Sequence, residues 1–274
     1  MQHLALIGFG AIARTLVATL CDQPDMRLRK LSLLVRRTPD ELRRAAAEIC
    51  APRDIEVQVF TDIAQMLAAR PDLVVECAGQ KAVADHGAAV LGAGVDLVTA
   101  SVGAFADQAL FDRLKETAAG RGARIILPAG AIGGIDALVA ARLSGLDELS
   151  YTGRKPPGGW KGTDAESRVD LDALTEEAVF FEGTAREAAM RFPKNANVAA
   201  TLALAGPGMD ETRVRLIADP ATTENTHEYQ VRSQAVDYSM RLVGKVSPLN
   251  PKTSLSTAYS LARTVLNRSG AIII

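Results

Sequence analysis

An α/β fold, with an N-terminal Rossmann-type doubly wound parallel sheet and a second α+β domain carrying a mostly antiparallel sheet, follows from three features of this sequence. Short apolar runs alternate with helical spacings as far as residue 127, the pattern of parallel strands joined by crossover helices. The first run, His3-Leu4-Ala5-Leu6-Ile7, passes directly into Gly8-Phe9-Gly10-Ala11-Ile12-Ala13. After Gly134 the periodicity changes, and the runs at 212–218, 224–235 and 238–246 alternate as strands covered on one side do.

Composition narrows the chemistry. The chain has 274 residues, 48% apolar and 23% charged, enough for one large or two modest cores. A formal net charge of -1 offers no overall field for nucleic acid or an anionic membrane, and neither partner is expected. Cys21, Cys50 and Cys77 are dispersed without CxxC spacing, so no disulfide framework or zinc site is expected and a reducing compartment fits. The acidic stretch Asp164, Glu166, Asp170, Asp172, Glu176 and Glu177 has no interleaved histidine, and no metal is expected there. With no leader pattern and no apolar run of bilayer length, the expected location is cytoplasmic.

Strand, glycine turn and helix at residues 3–20 are the context of a dinucleotide fingerprint. Gly8 permits the tight turn, Gly10 lets a pyrophosphate approach the backbone, and Ala13 stands where the helix packs on the strand. Ala11 and Ile12 open that helix. The second strand, 28–35, ends in Arg36-Arg37-Thr38 where an NAD site would carry an acid, so Arg36 points to NADP or to use of both NAD and NADP. Further strands are expected at 57–60, 73–77, 95–99 and 124–127, with helices at 63–69, 82–91 and 108–119. The strand ends Ala78-Gly79-Gln80, Ala100-Ser101-Val102-Gly103-Ala104 and Pro128-Ala129-Gly130-Ala131-Ile132-Gly133-Gly134 are small or glycine-rich, as close approach to a cofactor requires. The expected domains are a dinucleotide-binding domain 1–132, a substrate and dimerisation domain 133–249, and a C-terminal helix 250–274 packing back on the first domain.

In the second domain, Phe192-Pro193-Lys194-Asn195-Ala196-Asn197-Val198-Ala199 leads into an apolar helix, with Asn195 or Asn197 able to cap it and its first turn suited to a carboxylate. Lys194 and Asn195 are candidate substrate-binding residues. Arg154, Lys155 and Lys161 are alternative cations, and Trp160 with its glycines suggests a mobile lid. His227 shares a strand face with Tyr229 and Val231. With an unperturbed pKa of about 6.5 it can exchange a proton with a substrate amine or hydroxyl, or it can be a plain strand histidine.

These stretches, with Glu76-Cys77-Ala78-Gly79, Thr152-Gly153-Arg154-Lys155-Pro156 and Asn250-Pro251-Lys252-Thr253-Ser254, together resemble the L-aspartate dehydrogenase family. The resemblance implies an NAD(P)-dependent enzyme that oxidises L-aspartate to iminoaspartate, which hydrolyses to oxaloacetate and ammonia or feeds NAD biosynthesis, and it implies a homodimer. By the family's motifs Ala131 and Asn197 contact the cofactor and His227 is the catalytic residue. Arg36 departs from an NAD-type pattern. A different amino-acid or hydroxy-acid dehydrogenase of the same layout, or an NAD(P)-sensing protein without turnover, are the alternative readings.

Overall fold

The first strand is apolar at nearly every position because both of its faces are covered. The structure is a computed structural model that describes residues 1–37, 40–193, 195–270 and 272–273, without the side chains of 251–253. Two compact units divide it, Met1–Pro128 with Thr257–Ile274, and Ala129–Ser256.

In the first unit, β1 (His3–Ile7), β2 (Lys30–Leu34), β3 (Glu56–Phe60), β4 (Leu73–Glu76), β5 (Leu97–Thr99) and β6 (Ile125–Ile126) form a wholly parallel sheet of order β3-β2-β1-β4-β5-β6. The crossover helices are α1 (Ala11–Cys21), α2 (Asp40–Cys50), α3 (Ile63–Ala68), α4 (Gln80–Gly92) and α5 (Gln108–Arg121). Strand order reverses between β1 and β4, and doubly wound sheets bind ligands beyond the carboxyl ends of their strands at such a point. Helix α2 was not anticipated, although Leu42, Ala46, Ile49 and Cys50 recur at helical spacing and pack on the core of this unit. Asp96 binds three groups, the Arg124 amide and guanidinium and the Arg268 guanidinium, the last at 2.6 Å.

The second unit holds α6 (Ile135–Ser144), β7 (Leu146–Lys155), β8 (Ala178–Thr184), α7 (Ala185–Arg191), α8 (Asn197–Ala205), β9 (Arg213–Ala218), β10 (Asn225–Ser233) and β11 (Tyr238–Gly244). Its sheet runs β11-β10-β7-β9-β8, with β7 and β9 parallel and the other three pairs antiparallel. Strand β8 and helix α7 were not anticipated, although Thr184 and Glu187 form the Thr-x-x-Glu capping box that marks a helix start.

Two sequence expectations do not hold in the structure. Residues 250–254 do not open the final helix: they form β13 (Asn250–Ser254), paired antiparallel with β12 (Val246–Ser247), so a strand partner takes backbone groups that a helix start would leave open. Helix α9 (Leu255–Leu266) follows, and its Leu261, Ala262 and Val265 join Leu4, Leu6 and Leu31 in the core of the first unit. The Trp160 turn is a packed corner rather than a loose lid. Its indole is fully buried, donates to the Ile217 carbonyl at 3.0 Å, and meets Phe180 edge-on. Among the described residues no helix is long and apolar enough to cross a membrane.

Candidate functional site

In the first unit the candidate site is a cradle of backbone at the strand ends. Gly8 has φ +89°, and a Cβ there would lie 2.8 Å from the Ala78 Cβ, so glycine is required both for the turn and for the close approach of the two loops. Helix α1 starts at Ala11 with Gly10 as its N-cap, which provides no side-chain cap. The first-turn amides of Ala11 and Ile12 therefore point their partial positive charge outward, the arrangement that receives a phosphate. A Cβ on Gly10 or on Gly79 would meet nothing within 4 Å, so the space over both loops is open. These features fit a dinucleotide: tight turn, uncapped helix start and clear approach. Arg36 and Arg37 lie exposed just beyond β2.

Glu76, to which the sequence by itself assigns no role, ties the cradle together. It is fully buried at the end of β4. One oxygen accepts the amides of Ala78 at 2.6 Å and Gly79 at 2.7 Å and the Ser101 hydroxyl at 2.9 Å. The other accepts the Thr99 hydroxyl at 2.7 Å and the Ser101 amide at 3.2 Å. One carboxylate thus holds the loops after β4 and β5 in a single arrangement. The available signal was a lone acid closing the apolar run Leu73-Val74-Val75.

In the second unit the buried face of β7 and β10 carries a polar cluster. His227 stands opposite Gly153, and Tyr229 opposite Tyr151. A Cβ on residue 153 would lie 2.7 Å from the Tyr151 hydroxyl; glycine there leaves the phenol room to reach His227 Nδ1 at 2.8 Å. His227 is 4% exposed. Burial first, and the positive charge of Lys155 second, lower the imidazole to about 3, so it is neutral at physiological pH. Its Nε2 makes no hydrogen bond among the described residues.

Lys155, the last residue of β7, is 8% exposed. Its ammonium donates to the Asn195 side-chain oxygen and lies 4.9 Å from the centre of the Trp160 ring. Burial lowers it to about 8. Because the Asn195 oxygen is engaged by Lys155, it does not cap α8. That helix has Ala196 as N-cap with no side-chain cap, and Asn197 is its first residue. Lys194 lies outside the described residues. Ala131 belongs to the loop before α6, which is held from below: Tyr229 donates to the Gly133 carbonyl at 2.9 Å, and a Cβ on Gly134 would strike the Tyr229 hydroxyl at 2.5 Å. Among the described residues no cluster of His, Cys, Asp or Glu could hold a metal ion.

Residues 136–268 match the family model of the aspartate dehydrogenase C-terminal domain. The L-aspartate dehydrogenase of Cupriavidus taiwanensis is 44% identical over 274 residues, with 100% of both chains covered. This chain belongs to the L-aspartate dehydrogenase family. Another member, from Ralstonia nicotianae, is 46% identical over 275 residues, again with 100% of both chains covered. The crystal structure of the aspartate dehydrogenase of Thermotoga maritima superposes with a TM-score of 0.78 at 27% identity, over 100% of this chain and 99% of that one. Residues 8–128 match the homoserine dehydrogenase NAD-binding domain model, so in this member of the aspartate dehydrogenase family the strand-end cradle belongs to a nicotinamide-nucleotide domain.

Proposed function

We propose that the chain is an NAD(P)-dependent L-aspartate dehydrogenase, reversibly converting L-aspartate to iminoaspartate and hence to oxaloacetate and ammonia. The observation that carries this reading is the neutral, buried His227, fixed by Tyr151 and set beside a buried cation, in a chain of this family.

The nicotinamide supplies the hydride acceptor that no side chain offers. Gly8, Gly10, Ala11 and Ile12 would hold its diphosphate on the uncapped start of α1, with Ala78, Gly79, Ala131 and Asn197 as further contacts. Lys194 and Asn195 would receive the substrate carboxylates. His227 Nε2 would accept a proton from the substrate ammonium or from the attacking water, so that the amine lone pair could form the C=N bond as Cα gives up its hydride, and water could add to the imine carbon with loss of ammonia. For Nε2 to accept, Nδ1 must carry the ring proton and donate to the Tyr151 oxygen, which makes Tyr151 a positioning residue for the tautomer.

The first test follows nicotinamide absorbance with purified protein and L-aspartate, using NAD and NADP in parallel, then oxaloacetate with ammonia in reverse. Turnover in either direction is expected; silence in both, with cofactor bound, would leave a different substrate or a sensing role. Arg36 stands where a ribose 2′-phosphate is met, and no acid at that strand end repels it. Arg36→Ala is expected to raise KM for NADP about tenfold, the loss of about 1.4 kcal/mol of charge-assisted bonding, while KM for NAD changes less than about twofold. Equal effects on both cofactors would remove Arg36 from their discrimination. The reading includes a homodimer, for which light scattering should return twice 29.0 kDa.

A further inference from the structure

Lys155 is costly where it stands. An ammonium taken out of water needs a counter-charge, and a hydrogen bond to a neutral amide plus the face of an indole is partial compensation. Among the described residues no carboxylate lies at ion-pair distance from it, whereas its neighbour Arg154, on the opposite face of β7, pairs with both Glu177 and Asp219. The acids of this corner are spent on Arg154, and Lys155 is left facing the cluster that contains His227.

Its place along the strand is equally specific. Gly153 is the register partner of His227, and Lys155 is two residues further along the same face. Two residues of strand span about 6.8 Å, a separation that an amino-dicarboxylate can bridge with its amine toward the histidine and a carboxylate toward the lysine. The Asn195 oxygen already orients the ammonium.

We propose that Lys155 is the buried cation that receives a carboxylate of the substrate, making the bound anion its missing counter-charge and a requirement for tight binding. This rests on the dehydrogenase reading above and adds a residue to it. A second consequence follows from the charges. Lys155 depresses the basicity of His227, so a carboxylate on Lys155 relieves that depression when substrate is present and the base is needed.

The groups that face Lys155 leave its titration legible. Burial holds Tyr151 well above its ordinary range, His227 lies far below neutrality, and Arg154 remains cationic with Glu177 and Asp219. Lys155 is therefore the member of the cluster that loses its charge between pH 7 and 9.5. The affinity of wild-type protein for succinate, a dicarboxylate without an amine to titrate, should fall about 30-fold over that interval in calorimetry, as one proton leaves a group with a pKa near 8. Lys155→Met, which retains the aliphatic stem beside Trp160, should bind succinate weakly at both pH values. It should raise KM for L-aspartate about 30-fold or more with kcat within about threefold, the split expected when ground-state binding is lost.

A purely structural lysine would behave differently. Because its folded pKa lies below the unfolded value of 10.5, the unfolded chain holds the extra proton between about 8 and 10.5. The burden on stability is thus full below pH 8 and fades as pH rises. Lys155→Met should melt at the same temperature as wild type or higher at pH 7. Succinate binding by wild type that does not change between pH 7 and 9.5, or a KM within twofold of wild type in Lys155→Met, overturns the assignment. If wild type still oxidises aspartate in that case, the dehydrogenase reading survives it; absence of both turnover and succinate binding overturns the two together.

Discussion

His227→Ala is expected to lower kcat for L-aspartate oxidation by about a thousandfold, within the range for removal of a general base, while the dissociation constant for the nicotinamide nucleotide should stay within about twofold. The imidazole is buried on the inner face of the sheet and held at Nδ1 by Tyr151, so its removal would delete the proposed proton acceptor with no neighbour on the strand to replace it. Tyr151→Phe is the companion variant. It leaves the ring in place but releases the tautomer, and kcat should fall about tenfold, the loss of roughly 1.4 kcal/mol of orientation. Single-turnover absorbance separates the chemical step from product release in both variants. Retention of more than a tenth of wild-type kcat in His227→Ala would take the histidine out of the mechanism.

Glu76→Leu is expected to cost about 3–5 kcal/mol of stability and to weaken nicotinamide binding tenfold or more, because a buried acceptor with several donors is removed at once. Three backbone amides and two hydroxyls depend on that carboxylate. The Ala78 and Gly79 amides lose their acceptor, and the strand-end loop they belong to loses its fixed approach to Gly8. Glu76→Gln should be milder, about 1–2 kcal/mol, since its oxygen can still serve Ala78 and Gly79 and the Thr99 hydroxyl can turn to accept, leaving the Ser101 amide facing a donor. Urea unfolding gives the stabilities and calorimetry the cofactor affinity. If Leu and Gln weaken cofactor binding equally, the carboxylate does not act through the loop amides, and its role is confined to the core of the sheet.

The parallel sheet was legible because each of its signals is local. Gly8-Phe9-Gly10 after an apolar run describes a turn whose steric demand is set by adjacent residues, and the alternation of apolar runs with helical spacing needs no knowledge of distant partners. Strand β8 was lost since period two is broken by a register shift between Val179 and Phe181, whereas α2 carried a readable stripe in Leu42, Ala46, Ile49 and Cys50 that went unused. The reading of Trp160 as part of a lid failed for a different reason. Glycine and proline content reports backbone freedom, while the packing of the indole against Phe180 and Phe192 depends on residues 20 and 32 positions away.

Sequence alone determined the doubly wound first unit and its opening glycine turn, both from neighbours within a few residues, and left His227 open between a proton acceptor and a plain strand histidine. Tertiary structure decided the environments. Gly153 clears the path for Tyr151 to hold His227 across 76 residues of chain, Glu76 gathers amides from two loops, and Lys155 is buried against an amide oxygen and an indole face with no carboxylate paired to it among the described residues. Burial and charge balance are properties of what the fold brings to a side chain, and no spacing along the chain encodes them directly.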